Sequence, residues 1–112
     1  MTSFTRLSDI DAIVEKAALA QQAWAQTSPL HKREIFQACS RNLQKSADAL
    51  VATMREETGS GAAWAHFNVN ASMALLQECA GATTQVTGQT IPSDIPGSVS
   101  MTWRAPVGVV LG

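Results

Sequence analysis

The sequence predicts an α-then-β architecture, with four helices between Ser8 and about Ala80, then a β-hairpin, then the start of a further strand. Three observations carry this. Apolar residues recur at helical spacing in four segments, each bounded by helix start or stop residues. After Gly81 the pattern changes to Thr- and Val-rich segments punctuated by Gly88, Pro92, Pro96 and Gly97. Charge is unevenly spread: residues 58–112 hold only Glu78, Asp94 and Arg104, and every other charged side chain lies in the first 57 residues.

The first helix is read from Ser8 as its cap, with Asp9 and Asp11 in the first turn, where carboxylates complement the helix dipole. Ile10, Ile13, Val14, Ala17, Gln21 and Trp24 form one face, and Asp11, Glu15, Gln22 and Gln26 the opposite one. Leu19 falls on that opposite side, and nothing within the chain accounts for it. Ser28-Pro29 starts a second helix, Ser as cap and Pro at the first helical position. Its expected buried stripe is Ile35, Phe36, Cys39 and Leu43, and its wet face Arg33, Gln37, Arg41 and Gln44. Ser46 opens a third helix through Ala47, Leu50, Val51 and Met54, with Gly59 as a left-handed terminator.

The fourth helix, about Ala62 to Ala80, is apolar on two sides. Trp64, Phe67, Ala71 and Leu75 line one, and Val69, Met73, Leu76 and Ala80 the other. The preceding helices cover one side, which leaves the second for something outside this sequence. Gln85–Ile91 and Ser98–Arg104 read as hairpin strands, the second alternating Val99, Met101 and Trp103 against polar residues. Ala105-Pro106 ends it, and Val107–Leu111 begins an apolar strand of the kind buried on both faces. A chain that stops inside such a run is expected to be the front part of a larger protein.

Composition narrows the function classes. With 112 residues, 46% apolar and 15% charged, the chain is one domain at most. A net charge of −1 and no basic cluster exclude a nucleic-acid partner. The longest uncharged stretch, Thr58–Gln77, is interrupted by Gly, Ser, His and Asn, too polar for a membrane span. The start, Met1–Arg6, has no apolar h-region, and two cysteines make no disulfide framework, so a cytoplasmic protein is expected.

Chemical candidates are few. Cys39 and Cys79 are read as small core residues rather than nucleophiles. His31 and His66 have no second ligand at metal-binding spacing, so no metal site is assigned. Glu56 and Glu57 read as a solvated helix end. Gly108 and Gly112 match a dinucleotide fingerprint only in part, since no helix follows. The Trp64, Phe67, Ala71 and Leu75 ridge reads first as a core stripe. Its aromatic end followed by a small residue is also compatible with a lined tunnel.

The ordered punctuation adds a resemblance. Gly88-Gln89-Thr90-Ile91-Pro92, then Pro96-Gly97-Ser98, then Arg104-Ala105-Pro106-Val107-Gly108-Val109-Val110, resembles the run preceding the nucleotide-binding domain of NAD(P)-dependent aldehyde dehydrogenases. Upstream, Arg33 and Glu57-Thr58-Gly59 fall at the family's intervals, and the likeness covers essentially the whole chain. Ser60 stands where Lys is common, and the string Glu57 to Val69 is similar to the branch acting on salicylaldehyde, vanillin or benzaldehyde.

The resemblance implies an α/β parent fold. Residues 1–82 would be the N-terminal helical part of the cofactor-binding domain, residues 83–105 a hairpin oligomerisation arm, and residues 106–112 the first strand of a Rossmann-like nucleotide-binding sheet. It implies oxidation of an aldehyde, with NAD or NADP as cofactor and a homodimer or homotetramer as the assembly. Such chemistry uses a cysteine thiolate, a water-activating glutamate and an oxyanion-holding asparagine, none of which this chain supplies. What it does supply by resemblance is part of a substrate tunnel: Trp64 and Phe67 as aromatic wall and Ala71 as space for a ring. The alternative reading is a non-catalytic helical interaction or oligomerisation module.

Overall fold

A computed structural model describes residues 6–111, with Leu7 in its backbone only. After a 3-10 turn at Leu7–Asp9 come α1 (Ile10–Gln26), α2 (Pro29–Lys45), α3 (Ala47–Thr58), α4 (Ala62–Ala82), β1 (Thr90–Ile91) and β2 (Ser100–Met101). Met1–Thr5 and Gly112, the ends of the expected first and last segments, lie outside the described residues. The chain divides into two units: residues 28–87 form one, and α1 with the segment from Gly88 the other.

The unit of α2, α3 and α4 follows its local signals closely. Ser28 is extended and its hydroxyl accepts a 3.2 Å bond from the His31 N–H, while Pro29 occupies the first turn, where a missing donor costs nothing. Gly59 ends α3 at φ +69°, a conformation that costs a residue with a Cβ roughly 1–2 kcal/mol. α4 packs along α2 and against α3. Val51, Ala65 and Val69 form the buried cluster, with Leu43, Ala47 and Met54 packed on it. Ala80 is buried nearer the C-terminal end of α4.

The expected stripe of α2 is corrected. Cys39 is exposed and Ser40 is buried in its place, while Ile35, Phe36 and Leu43 are half-buried. Arg33, expected on the wet face, is also half-buried. Helix rotation is set by the partner: the Arg33 guanidinium and the Ser40 hydroxyl both find main-chain carbonyls on α4, so the face toward α4 includes Arg33, Phe36, Ser40 and Leu43. α4 itself runs through Gly81 to Ala82, two residues past the expected end.

In the other unit, α1 begins at Ile10 rather than beside Ser8. The Ser8 hydroxyl bonds the Asp9 carboxylate at 3.1 Å, and Asp9 stands at the cap position. Ile10, Ile13, Val14 and Trp24 keep their shared face but remain exposed, as does Leu19. The hairpin is antiparallel, pairing Thr90 with Met101 and Ile91 with Ser100. Its strands are two residues each, shorter than 85–91 and 98–104.

Local chemistry explains that shortening. The Gln89 N–H donates to the Thr102 hydroxyl at 2.8 Å instead of to a main-chain carbonyl, which interrupts the regular ladder. Thr102 N–H still reaches the Gln89 carbonyl at 2.7 Å. At Gly88 the two segments approach so closely that a Cβ would overlap the Thr102 carbonyl oxygen, which is why glycine is required there. The expected strand over Val107–Leu111 forms no ladder among the described residues, since β1 and β2 pair only with each other. A buried parallel strand needs neighbours that this chain does not provide.

Candidate functional site

The face of α4 turned away from α2 and α3 is where the sequence-derived site residues gather. Helical periodicity places Trp64, Phe67, Ala71 and Leu75 along one ridge, and all four are exposed. Trp64 and Phe67 stack on each other, with ring centroids 5.3 Å apart and planes inclined by 22°. That contact preorganises a flat aromatic surface, and Ala71 one turn beyond Phe67 leaves a step beside it. Beside the ridge, Asn68 donates from Nδ2 to the Trp64 carbonyl at 2.8 Å, and the Ser72 hydroxyl donates to the Asn68 carbonyl at the same distance. Next to these residues lies a small, mostly apolar hollow of about 220 Å³ lined by Leu43, Leu50, Met54, Asn68, Val69 and Ser72.

On the other side of α4, where it meets α2, the lining is polar. A cleft of about 580 Å³ is bounded by Arg33, Gln37, Ser40, Arg41 and Gln44 of α2 and by Gln77, Ala80 and Gly81 of α4. Sequence periodicity missed the two residues that organise it, Arg33 and Ser40. Arg33 donates from Nε to the Ala80 carbonyl and from Nη2 to the Thr84 hydroxyl, both at 3.1 Å. Ser40 donates to the Met73 carbonyl at 3.3 Å and accepts from Gln77 at 3.5 Å. Ser40 between Phe36 and Leu43 at helical spacing, and an Arg one turn into a capped helix, were the available signals.

The remaining candidates stay apart. Cys39 is exposed on α2 and Cys79 half-buried on α4, both as free thiols. His31 pairs with Glu34 at 3.2 Å on the surface, and among the described residues no three His, Cys, Asp or Glu side chains could hold a metal ion. Glu56 and Glu57 are exposed at the end of α3. The Ser60 hydroxyl is buried without a hydrogen-bond partner. Gly108 takes a positive φ of 98°, and Val109–Leu111, the described residues that follow it, are in neither helix nor strand. No described helix is long and apolar enough to cross a membrane.

Comparison with known proteins decides the family. The family model described as the aldehyde dehydrogenase family matches residues 3–112. This chain belongs to that family. A vanillin dehydrogenase of Pseudomonas fluorescens is 42% identical over 106 residues, which is 95% of this chain and 22% of that protein. Among solved structures, a salicylaldehyde dehydrogenase from Pseudomonas putida G7, complexed with salicylaldehyde, superposes with a TM-score of 0.81 at 35% identity, covering 88% of this chain and 21% of that one. An NAD-dependent benzaldehyde dehydrogenase from Corynebacterium glutamicum gives a TM-score of 0.76 at 27% identity, covering 82% and 20%. This aldehyde dehydrogenase chain therefore spans about a fifth of the length of the relatives it matches.

Proposed function

We infer that this chain is the N-terminal part of an enzyme that oxidises an aromatic aldehyde to its carboxylic acid with NAD or NADP. The observation that carries this reading is the exposed Trp64–Phe67 stack beside Ala71, on a helix whose opposite face is already packed. Relatives are named for vanillin, salicylaldehyde and benzaldehyde, all three aromatic aldehydes, which supports the aromatic assignment. In this reading Trp64 and Phe67 form one wall of the substrate path and Ala71 leaves space for the ring. The nucleophile, the water-activating carboxylate and the groups that hold the cofactor belong to the rest of the enzyme, so the 112-residue chain alone is inactive.

Residues 83–105 would be the arm of a homodimer or homotetramer. Val99, Met101 and Trp103, apolar and exposed in the hairpin, support that use. Val107–Leu111 would become a strand of the nucleotide-binding sheet once neighbours are present, and a cytoplasmic location goes with the composition.

Two measurements test the reading. In the full-length enzyme, Phe67→Ala is expected to lower the preference for benzaldehyde over a short aliphatic aldehyde by roughly tenfold, the scale of one lost apolar contact surface. Unchanged discrimination would remove α4 from the substrate path. The purified chain mixed with NAD and benzaldehyde is expected to show no turnover, and turnover above background would place the chemistry inside it.

A further inference from the structure

The polar seam between α2 and α4 deepens that reading and rests on it. Arg33 and Ser40 stand seven residues apart on α2, and the α4 carbonyls they reach, Ala80 and Met73, stand seven residues apart in the opposite chain direction. Seven residues return a helix to nearly the same face, within about 20°. Both bonds therefore lie along one line of the interface. Each is anchored further: Arg33 also holds the Thr84 hydroxyl at 3.1 Å, and Ser40, only 5% exposed, accepts from Gln77.

Apolar packing contributes to this interface without being the strictest constraint on its register. The buried residues of α4 are the small Ala65, Val69 and Ala80, and the larger Met73 and Leu76 of the same face are only half-buried, so side-chain interlocking with a partner groove is limited. Hydrogen bonds, by contrast, weaken steeply once distance and angle depart from their optimum. The geometry points to Arg33 and Ser40 as positioning residues that set the axial register and rotation of α4 on α2, and thereby hold Trp64, Phe67 and Ala71 toward the substrate. A rotation of α4 by a single residue would swing that ridge by about 100° and take the aromatic wall out of the path. Lysine cannot stand in for Arg33, because the two bonds leave different nitrogens of one planar fork and a single ammonium on a flexible stem does not reproduce them.

The test uses the full-length protein with Arg33→Lys, Arg33→Met and Ser40→Ala, and reads two quantities. The first is the thiol-labelling rate at Cys79, half-buried on α4 beside Ala80, against that at Cys39, exposed on α2, resolved by peptide mass spectrometry. Labelling of Cys79 is expected to accelerate by about three- to tenfold in the Arg33 variants while Cys39 is unchanged, and less in Ser40→Ala. The second is kinetic: KM for benzaldehyde is expected to rise about three- to tenfold with kcat held, while KM for a short aliphatic aldehyde stays constant. Cys79 rates equal to those of the parent in all three variants would overturn the register assignment. Faster Cys79 labelling with an unmoved benzaldehyde KM overturns the substrate-wall reading instead and leaves the register assignment standing. A uniform loss of activity toward both aldehydes in proportion to a lower urea midpoint would reduce the two residues to plain stabilisers and overturn the positioning role. Arg33→Lys, which keeps the charge and an aliphatic stem, guards against the case in which Arg33→Met does not fold.

Discussion

The two faces of α4 are built from different materials. Inward, Ala65 and Val69 are 0% and 8% exposed against the other helices, whereas outward Trp64, Phe67 and Leu75 are 57%, 57% and 65% exposed. Small residues let two helix axes come close, and large ones would hold them apart. The outward set follows the reverse logic. A buried aromatic side chain stabilises by about 1.5–3 kcal/mol, and with more than half of Trp64 and Phe67 exposed, much of that stabilisation is unrealised in this chain's own fold. Exposed large apolar side chains on one face are what the proposed substrate wall requires.

Substitutions can break that contrast or sharpen it. The largest effect is expected at Ala65, where Phe has no space: Ala65→Phe should cost about 3 kcal/mol by overpacking, read as a lower urea midpoint. Val69→Ala leaves a cavity between α3 and α4 and should cost about 2 kcal/mol in the same measurement. Phe67→Ala removes a larger side chain than Val69→Ala, yet should cost less, about 1 kcal/mol or below, because little but the Trp64 stack is lost. A loss at Phe67 as large as that at Val69 would erase the distinction between the faces.

Much of the helical unit was legible residue by residue. Ser28-Pro29 starts α2 and Gly59 ends α3, because caps act within one turn and need no distant partner. The two-sided apolar pattern of α4 was likewise readable, since periodicity alone separates Phe67 from Val69. The exchange of Cys39 for Ser40 was not. Periodicity places residues on a helix face to within one position, and which of two neighbours points inward depends on the carbonyls of the helix opposite. Arg33 was misread for the same reason: its sequence context is polar, and only the end of α4 shows that its guanidinium has acceptors to reach. In the hairpin the pairing was foreseen but its length was not, because the Thr102 hydroxyl competes for the Gln89 N–H at a spacing fixed only when the segments meet.

What the sequence by itself determined is therefore the local and the periodic: four helices, the start of α2 and the end of α3, a hairpin after them, and an aromatic ridge opposite a small-residue face. Family membership was also carried by the order of its punctuation, and residues 3–112 match the family throughout. Only the tertiary structure decided which residue of each helix faces its neighbour, that Arg33 and Ser40 bridge α2 to α4, and that Trp64 and Phe67 stack while remaining exposed. The physical reason is one of range. Caps, turns and periodicity are set by interactions within a few residues, whereas helix rotation and register are set by groups that lie 33 to 47 residues apart along the chain and meet only on packing.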